Sequence, residues 1–273
     1  MVAVPGARAR FGPLFLRRTG QGPLLLLLHG LSSSSRYWEP HFPTLGRAYR
    51  VLAPDLLGFG RSPKPASATY TPEEHIAVLL TTIEPFLEGP LTLVGHSMGA
   101  ALALHLAVAR PRLVEQLVLV SLPVIGSTAW GHRADGRAGR FHHFGAHTAA
   151  GRALYDGSFR AVRPFAERIY PRLRPAIPPG AARDALLMSW AAYWGTLENV
   201  IYGSDIPGLF AAAGTPLLLL HGARDRQAPF ASARALARTR PEAQFIEIPN
   251  AGHDLAYSHA QQCCATILGL QAK

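Results

Sequence analysis

Residues 91–100 read Leu-Thr-Leu-Val-Gly-His-Ser-Met-Gly-Ala, and this stretch decides the fold. Its first five residues are apolar or small apart from one threonine, which is typical of a short buried strand. The ten residues after Ala100 are mainly alanine and leucine at helical spacing, so a helix follows at once. A strand that turns directly into a helix leaves no room for side chains beside the turn, which explains Gly95 and Gly99. Ser97 is then predicted at the apex, with a strained backbone and an exposed hydroxyl, as a nucleophile requires.

Length, composition and charge limit the class of protein. The chain has 273 residues, 48% of them hydrophobic, so one large α/β domain or a domain with an insertion can bury a sizeable core. The net charge is +10, but the arginines are scattered without a basic helix face, so we expect no nucleic-acid partner. Adjacent Cys263 and Cys264 imply no disulfide framework. No signal peptide or membrane-spanning run is recognised, and we expect a soluble, cytoplasmic protein.

The rest of the chain alternates predicted strands with predicted helices. This alternation indicates an α/β fold with a mostly parallel central sheet and helices on both faces. The predicted strands are 11–18 at an edge, 23–28, 49–53, 91–95, 117–120, 216–220 and 245–248. The predicted helices pass through Trp38 and Phe42, run from Thr71 to Leu87, continue from Ala100 to Arg110, cover 231–238 and begin again near Tyr257.

The alternation stops in residues 123–206, which carry arginine, histidine, aromatic side chains and several prolines. We interpret this segment as a helical cap inserted into a core formed by residues 1–122 and 207–273. Its helical pieces are predicted at 149–159, 165–172 and 181–194. A cap folded over Ser97 must line the cleft beneath it. The candidates for this substrate pocket are Trp130, Tyr155, Trp190 and Trp194.

Loops that leave the carboxyl ends of parallel strands gather at one edge of the sheet, where sites form. Asp225 and His253 each follow such a strand, as Ser97 does. A serine hydroxyl needs a base to take its proton, and the base needs an acid to fix its tautomer. The chain order Ser, Asp, His is the order expected on this type of sheet. We therefore predict Ser97 as nucleophile, His253 as base and Asp225 as acid.

Acyl transfer through a serine also needs two backbone N–H groups that stabilise an oxyanion. Met98 directly follows the nucleophile and is predicted to provide one of them. The loop after the run of leucines provides the other, from Leu31 or alternatively from Ser32. We interpret His29 as a structural residue beneath this loop, and Asp55 as the residue that holds the glycine-rich loop after it.

His142, His143 and His147 are close in sequence and could share a helix face. No acid or cysteine nearby completes a metal site, so we interpret them as a surface cluster and expect no metal and no cofactor.

Taken together, the motifs resemble the α/β-hydrolase fold family. The matching pieces are His29-Gly30, residues 54–62, residues 95–99, residues 222–225 and Gly252-His253, which span nearly all of the chain outside the predicted cap. The resemblance implies a Ser-His-acid triad and no cofactor, and it leaves the substrate open. Dehalogenases and epoxide hydrolases of this fold carry Asp as nucleophile, so the serine at position 97 disfavours both.

Gly-His-Ser-Met-Gly is more typical of esterases and lipases. We therefore expect a serine hydrolase that cleaves a small carboxylic ester with an apolar part through an acyl-enzyme on Ser97. Three alternatives use the same triad: a meta-cleavage C–C hydrolase, which usually has Asn where His96 stands, an amide hydrolase, and a cofactor-free perhydrolase. A non-catalytic ligand receptor that retains the triad is an alternative from another class. The oligomeric state is left open.

Overall fold

The computed structural model describes residues 12–125, 149–173, 177 and 179–270. Within these residues, seven strands form one sheet in the order β1-β3-β2-β4-β5-β6-β7. Only β1 runs antiparallel to its neighbour β3 in this sheet, and the other pairs are parallel. The strands are β1 Leu16–Thr19, β2 Leu24–Leu28, β3 Arg50–Pro54, β4 Leu91–His96, β5 Val114–Val120, β6 Leu217–Gly222 and β7 Gln244–Ile248. The predicted mostly parallel sheet is confirmed.

Ten α-helices lie within the described residues. They are α1 Phe42–Leu45, α2 Pro72–Ile83, α3 Met98–Ala109, α4 Ala149–Leu173, α5 Pro179–Asp184, α6 Trp190–Thr196, α7 Ile206–Ala212, α8 Phe230–Arg238, α9 Leu255–Ser258 and α10 Ala260–Leu268. A 3-10 helix, Ser35–His41, precedes α1, and a π-helical turn, Leu197–Tyr202, extends α6. None of the helices described here combines the length and apolar character needed to cross a bilayer.

The five consecutive leucines of β2 are buried because both faces of the sheet are covered. Leu26 and Leu28 pack in one core layer with side chains of α2, α3 and α7. Leu25 and Leu27 point to the opposite face and pack in a second layer with side chains of α1 and α10. The period of two along a strand therefore sends alternate leucines into two cores. Helices on both faces are confirmed.

The turn from β4 into α3 has the tight geometry that its glycines predict. Ser97 lies between the two elements at φ 53° and ψ −119°, and helix α3 begins directly after it at Met98. A Cβ on Gly99 would lie 2.5 Å from the carbonyl oxygens of Leu28 and His29, and one on Gly95 would overlap the carbonyl oxygen of Gly99. Side chains at positions 95 and 99 are thus excluded by backbone atoms, which cannot move aside.

The segment between β5 and β6 differs from its predicted helices. The separate pieces 149–159 and 165–172 are wrong, because α4 is one helix that continues through Pro164 and Pro171. An ion pair between Arg163 and Glu167, 2.6 Å apart, spans Pro164 and supports the helix where its backbone lacks a donor. The predicted piece 181–194 is broken, because Met188 is extended and Ser189 caps a new helix by accepting the N–H of Ala192.

Helices α4, α5 and α6 are here called the cap helices, and polar contacts join α5 to the segment after β2 and α6 to helix α2. Asp184 of α5 accepts a hydrogen bond from Ser34 Oγ at 2.9 Å and pairs with Arg36 Nε at 3.0 Å. His75 Nε2 of α2 lies 3.1 Å from Thr196 Oγ1 of α6. These contacts fix α5 beside the segment that follows β2 and α6 beside α2. The boundaries at 122/123 and 206/207 stay a prediction.

Substitution of Gly99 by Ala tests the tight turn. The added Cβ would press on two backbone carbonyls, and overpacking of this kind costs about 1–3 kcal/mol of the free energy of unfolding. Urea denaturation followed by circular dichroism measures the loss. Gly89→Ala is the matched control, because a Cβ there has no atom within 4 Å. Equal midpoints for the two variants would contradict the tight turn.

Candidate active site

The structure brings together the three predicted residues Ser97, His253 and Asp225. Ser97 Oγ lies 2.9 Å from His253 Nε2, and His253 Nδ1 lies 2.8 Å from Asp225 Oδ2. The carboxylate can only accept, so Nδ1 carries the proton and Nε2 is free to accept from the serine hydroxyl. A base oriented in this way can take the proton of Ser97.

Asp225 is held in its charged form by its surroundings. Its side chain is buried, and burial alone would raise its pKa. The hydrogen bond and positive potential of His253, with further help from the N–H of Ala228, outweigh burial and lower the pKa below its ordinary value. Oδ1 also accepts from the N–H groups of Gln227 and Ala228, each at 2.9 Å. The carboxylate is therefore ionised at neutral pH and fixed in orientation.

The predicted oxyanion loops lie against Ser97. Strand β2 lies between β3 and β4, so the chain switches sides there and the loops after β2 and β4 face each other. A Cβ on Gly30 would be 3.3 Å from the Cβ of Ser97, and Leu31 and Ser32 line the same cavity as Ser97. Met98 begins α3, where the first N–H groups have no partner within the helix. The assignment of the two N–H donors to Leu31 and Met98 stays a prediction.

His29 and Asp55 fix the loop that follows β2. His29 Nδ1 donates to the carbonyl of Gly30 at 2.8 Å, and Nε2 accepts the N–H of Leu56 at 2.9 Å. Burial lowers the pKa of His29, which keeps the ring neutral and suited to both roles. Asp55 accepts from the N–H groups of Ser35 at 2.7 Å and Arg61 at 2.8 Å. Both residues have the structural positions that the sequence predicts.

A cavity of about 470 Å³ opens above Ser97 and His253. Ile177, Leu197 and Ile201 are among the apolar residues that line it. Four tyrosines and one charged residue of each sign also line it. These residues are Tyr37, Tyr170, Tyr193, Tyr202, Arg226 and Asp254.

The structure places two of the four predicted pocket residues, Trp190 and Trp194. Neither is among the described lining residues of the cavity, and their assignment to the pocket stays a prediction. Both indoles are buried, and their rings lie edge to face with centroids 5.2 Å apart at 66°. The backbone N–H of Trp190 donates to Asp156 Oδ1 of α4 at 3.1 Å. Trp130 lies outside the described residues, and so does the side chain of Tyr155 in α4.

Three tyrosines of the lining, Tyr170, Tyr193 and Tyr202, come from the segment between β5 and β6, and none of them is among the pocket residues predicted from the sequence. No periodic signal marks them, because which face of a cap helix meets the cavity depends on how the helix packs. Among the described residues no group of three His, Cys, Asp or Glu side chains could hold a metal ion. His142, His143 and His147 lie outside those residues.

Comparison with known proteins agrees with this geometry. A family model of the alpha/beta hydrolase fold matches residues 23–260. The chain belongs to that family. The matched range contains Ser97, Asp225 and His253 together with both predicted oxyanion loops.

The chain is similar to a probable lysophospholipase, BODYGUARD 1 of Arabidopsis thaliana, with 29% identity over 84% of this chain and 54% of that protein. The chain thus spans about half the length of this relative. A putative carbamate hydrolase, RutD of Pseudomonas savastanoi, is 28% identical over 85% of this chain and 86% of that protein. A thermophilic esterase from Thermogutta terrifontis superposes with a TM-score of 0.69 at 25% identity, covering 95% and 93% of the two chains. Family and relatives support a hydrolase and leave the cleaved bond open.

Buried neutral histidines predict how stability depends on pH. Burial lowers the pKa of His41 to about 4 and those of His75 and His96 to about 3. The unfolded chain takes up these protons near pH 6.5, whereas the folded chain does not until the lowered pKa values are reached. Stability is therefore full above pH 6.5 and falls as pH decreases below it, by roughly 1.4 kcal/mol per pH unit for each histidine.

Urea unfolding between pH 7.5 and pH 5 measures this slope. His75→Gln, which keeps a donor toward Thr196, is expected to make the slope shallower by about one histidine's contribution. An unchanged slope in this variant would contradict the neutral state of His75.

Proposed function

We propose that the protein is a serine hydrolase of carboxylic esters, with Ser97 as nucleophile, His253 as general base and Asp225 as the acid that orients it. The observation that carries the proposal is the unbroken hydrogen-bond chain Ser97 Oγ–His253–Asp225 at the floor of a cavity that apolar side chains help to line. Such a chain raises the reactivity of a hydroxyl that is otherwise a weak nucleophile.

In the proposed reaction, Ser97 Oγ attacks the ester carbonyl carbon while His253 Nε2 takes its proton. The carbonyl oxygen becomes an oxyanion, which the backbone N–H groups of Met98 and Leu31 are proposed to stabilise. The intermediate collapses, and the leaving alkoxide takes the proton from His253 to depart as an alcohol. Water then gives a proton to His253 and attacks the acyl-enzyme, and the second collapse returns the proton to Ser97 and releases the acid.

The lining of the cavity supports a small ester with an apolar part as the substrate. A volume of about 470 Å³ is in the range of sites for small molecules. Ile177, Leu197 and Ile201 line the same cavity as Ser97, where they can bury an acyl or aryl group. We propose that residues 123–206 act as the cap of this pocket.

An amide-type hydrolase is the second candidate. The relative named a putative carbamate hydrolase aligns over most of its own length, whereas the probable lysophospholipase does so over about half. The triad serves both reactions, because each proceeds through an acyl-enzyme. Matched substrates that differ only in the leaving group separate the two candidates.

A chain-length series of p-nitrophenyl esters tests the ester proposal, with p-nitroanilides of the same acyl groups beside it. We expect turnover of esters with an optimum in acyl length set by the cavity, and no turnover by Ser97→Ala. Turnover of the anilides alone would favour the second candidate. A folded protein that hydrolyses no ester of any length would contradict the proposal.

Asp225→Asn tests the role of the acid. The amide would favour the wrong tautomer of His253, and the rate of ester hydrolysis is expected to fall by about four orders of magnitude. Asp205→Asn is the matched control, because Asp205 is the N-cap of α7 and not a member of the triad, and Asn can replace it as a cap. A near-normal rate for Asp225→Asn would move the acid role to another residue.

A further inference from the structure

We propose that His96 and Ser121 are positioning residues that hold His253 at hydrogen-bond distance from Ser97 by binding the backbone carbonyl of His253. His96 Nε2 donates to this oxygen at 2.9 Å, and Ser121 Oγ donates to it at 3.0 Å. Two side-chain donors therefore share one carbonyl of the residue that carries the base. This positioning role rests on the proposed function, since it acts through His253.

Both donors are anchored to the strands that carry the nucleophile. His96 is the last residue of β4 and directly precedes Ser97, and Ser121 directly follows β5. The N–H of Ser97 bonds to Val120 at 2.9 Å, and the N–H of Ser121 bonds to Leu220 of β6 at 2.9 Å. The carbonyl of His253 is thus bound to the same rigid frame that holds Ser97, so the frame sets the separation of Oγ and Nε2.

The ring of His96 is in the state that this role requires. It is buried, stacks on Tyr37 with centroids 4.6 Å apart at 20°, and is kept neutral by burial. A neutral imidazole carries one N–H, and facing a carbonyl places it on Nε2. Nδ1 is then left buried without a partner among the described residues. An apolar ring would fill this space without an unpaired nitrogen, so the N–H is what histidine adds here.

The backbone conformation of Ser121 supports the same conclusion. This residue is fully buried and lies at φ 50°, a left-handed conformation that glycine adopts with least strain. The hydroxyl is what a serine supplies at this position beyond what glycine would. Its bond to His253 spans 132 residues of sequence, so it links the end of β5 to the loop that follows β7.

Asp225 restrains the ring of His253, whereas His96 and Ser121 restrain its backbone, so loss of either donor should let the imidazole drift from Ser97. A misplacement of about 1 Å can lower a rate by about 10²-fold, because the reacting atoms leave the productive geometry. The loss should appear in kcat and in the reactivity of Ser97, and leave KM less changed, since both donors act through the backbone of His253.

The experiment measures the second-order rate of Ser97 labelling by a fluorophosphonate, together with kcat and KM for a p-nitrophenyl ester. His96→Phe keeps an aromatic ring on Tyr37 and removes the donor, whereas His96→Gln places a donor near Nε2. Ser121→Gly removes the hydroxyl and fits the left-handed backbone. We expect His96→Phe and Ser121→Gly to lose between 10-fold and about 10²-fold in labelling rate and kcat, and His96→Gln to regain most of the loss.

The outcomes separate this role from the proposed function. A wild-type protein that is not labelled at Ser97 would overturn the proposed function itself. A wild-type protein that is labelled, with His96→Phe and Ser121→Gly labelled at the same rate, would overturn the positioning role alone. If His96→Phe does not fold, Ser121→Gly decides. Failure of His96→Gln to recover activity, with all variants melting alike, would also overturn the role of His96.

Discussion

The backbone of Ser97 is held at φ 53° and ψ −119°, a conformation that a residue with a Cβ adopts only when its surroundings enforce it. The enforcement comes from strand β4 on one side and helix α3 on the other, which meet without an intervening loop. Backbone carbonyls crowd positions 95 and 99, so only glycine fits beside the turn. The turn aims the hydroxyl at His253 and places the first N–H groups of α3 beside it, and the rest of the site is arranged around this point.

The polar groups of the site are buried together with their hydrogen-bond partners. Asp225 is buried yet charged because three donors meet its carboxylate. His29 and His96 are buried, and burial lowers the pKa of each, so each ring is neutral and offers its single N–H to a carbonyl. Groups arranged in this way need little reorganisation when charge develops in a reaction, which is the condition for electrostatic catalysis. The buried residues behind the site are therefore arranged for the same chemistry as the residues at the cavity.

Much of this arrangement can be predicted from the sequence, for physical reasons. Buried parallel strands require continuous apolar runs such as Leu24–Leu28, and the carboxyl ends of such strands must meet at one edge, which places Ser97, Asp225 and His253 together. The orientation of the cap aromatics could not be predicted from the sequence, because the face of a helix that is buried depends on the elements that pack against it. Trp190 and Trp194, for example, are buried beside Tyr193 and Leu197. The bond from His96 to the carbonyl of His253 joins residues 157 apart in sequence. Every residue type has a backbone carbonyl, so the sequence does not reveal which one accepts such a bond.

The central claim is that Ser97 itself carries the acyl group during turnover. Rapid mixing with a p-nitrophenyl ester, an acid quench and mass spectrometry of the intact protein and its peptides measure this most directly. The account predicts one acyl group per chain, located on the peptide that contains Ser97, with a matching burst of p-nitrophenol, and neither signal in Ser97→Ala. An acyl group on a different residue, or undiminished turnover by Ser97→Ala, would contradict it.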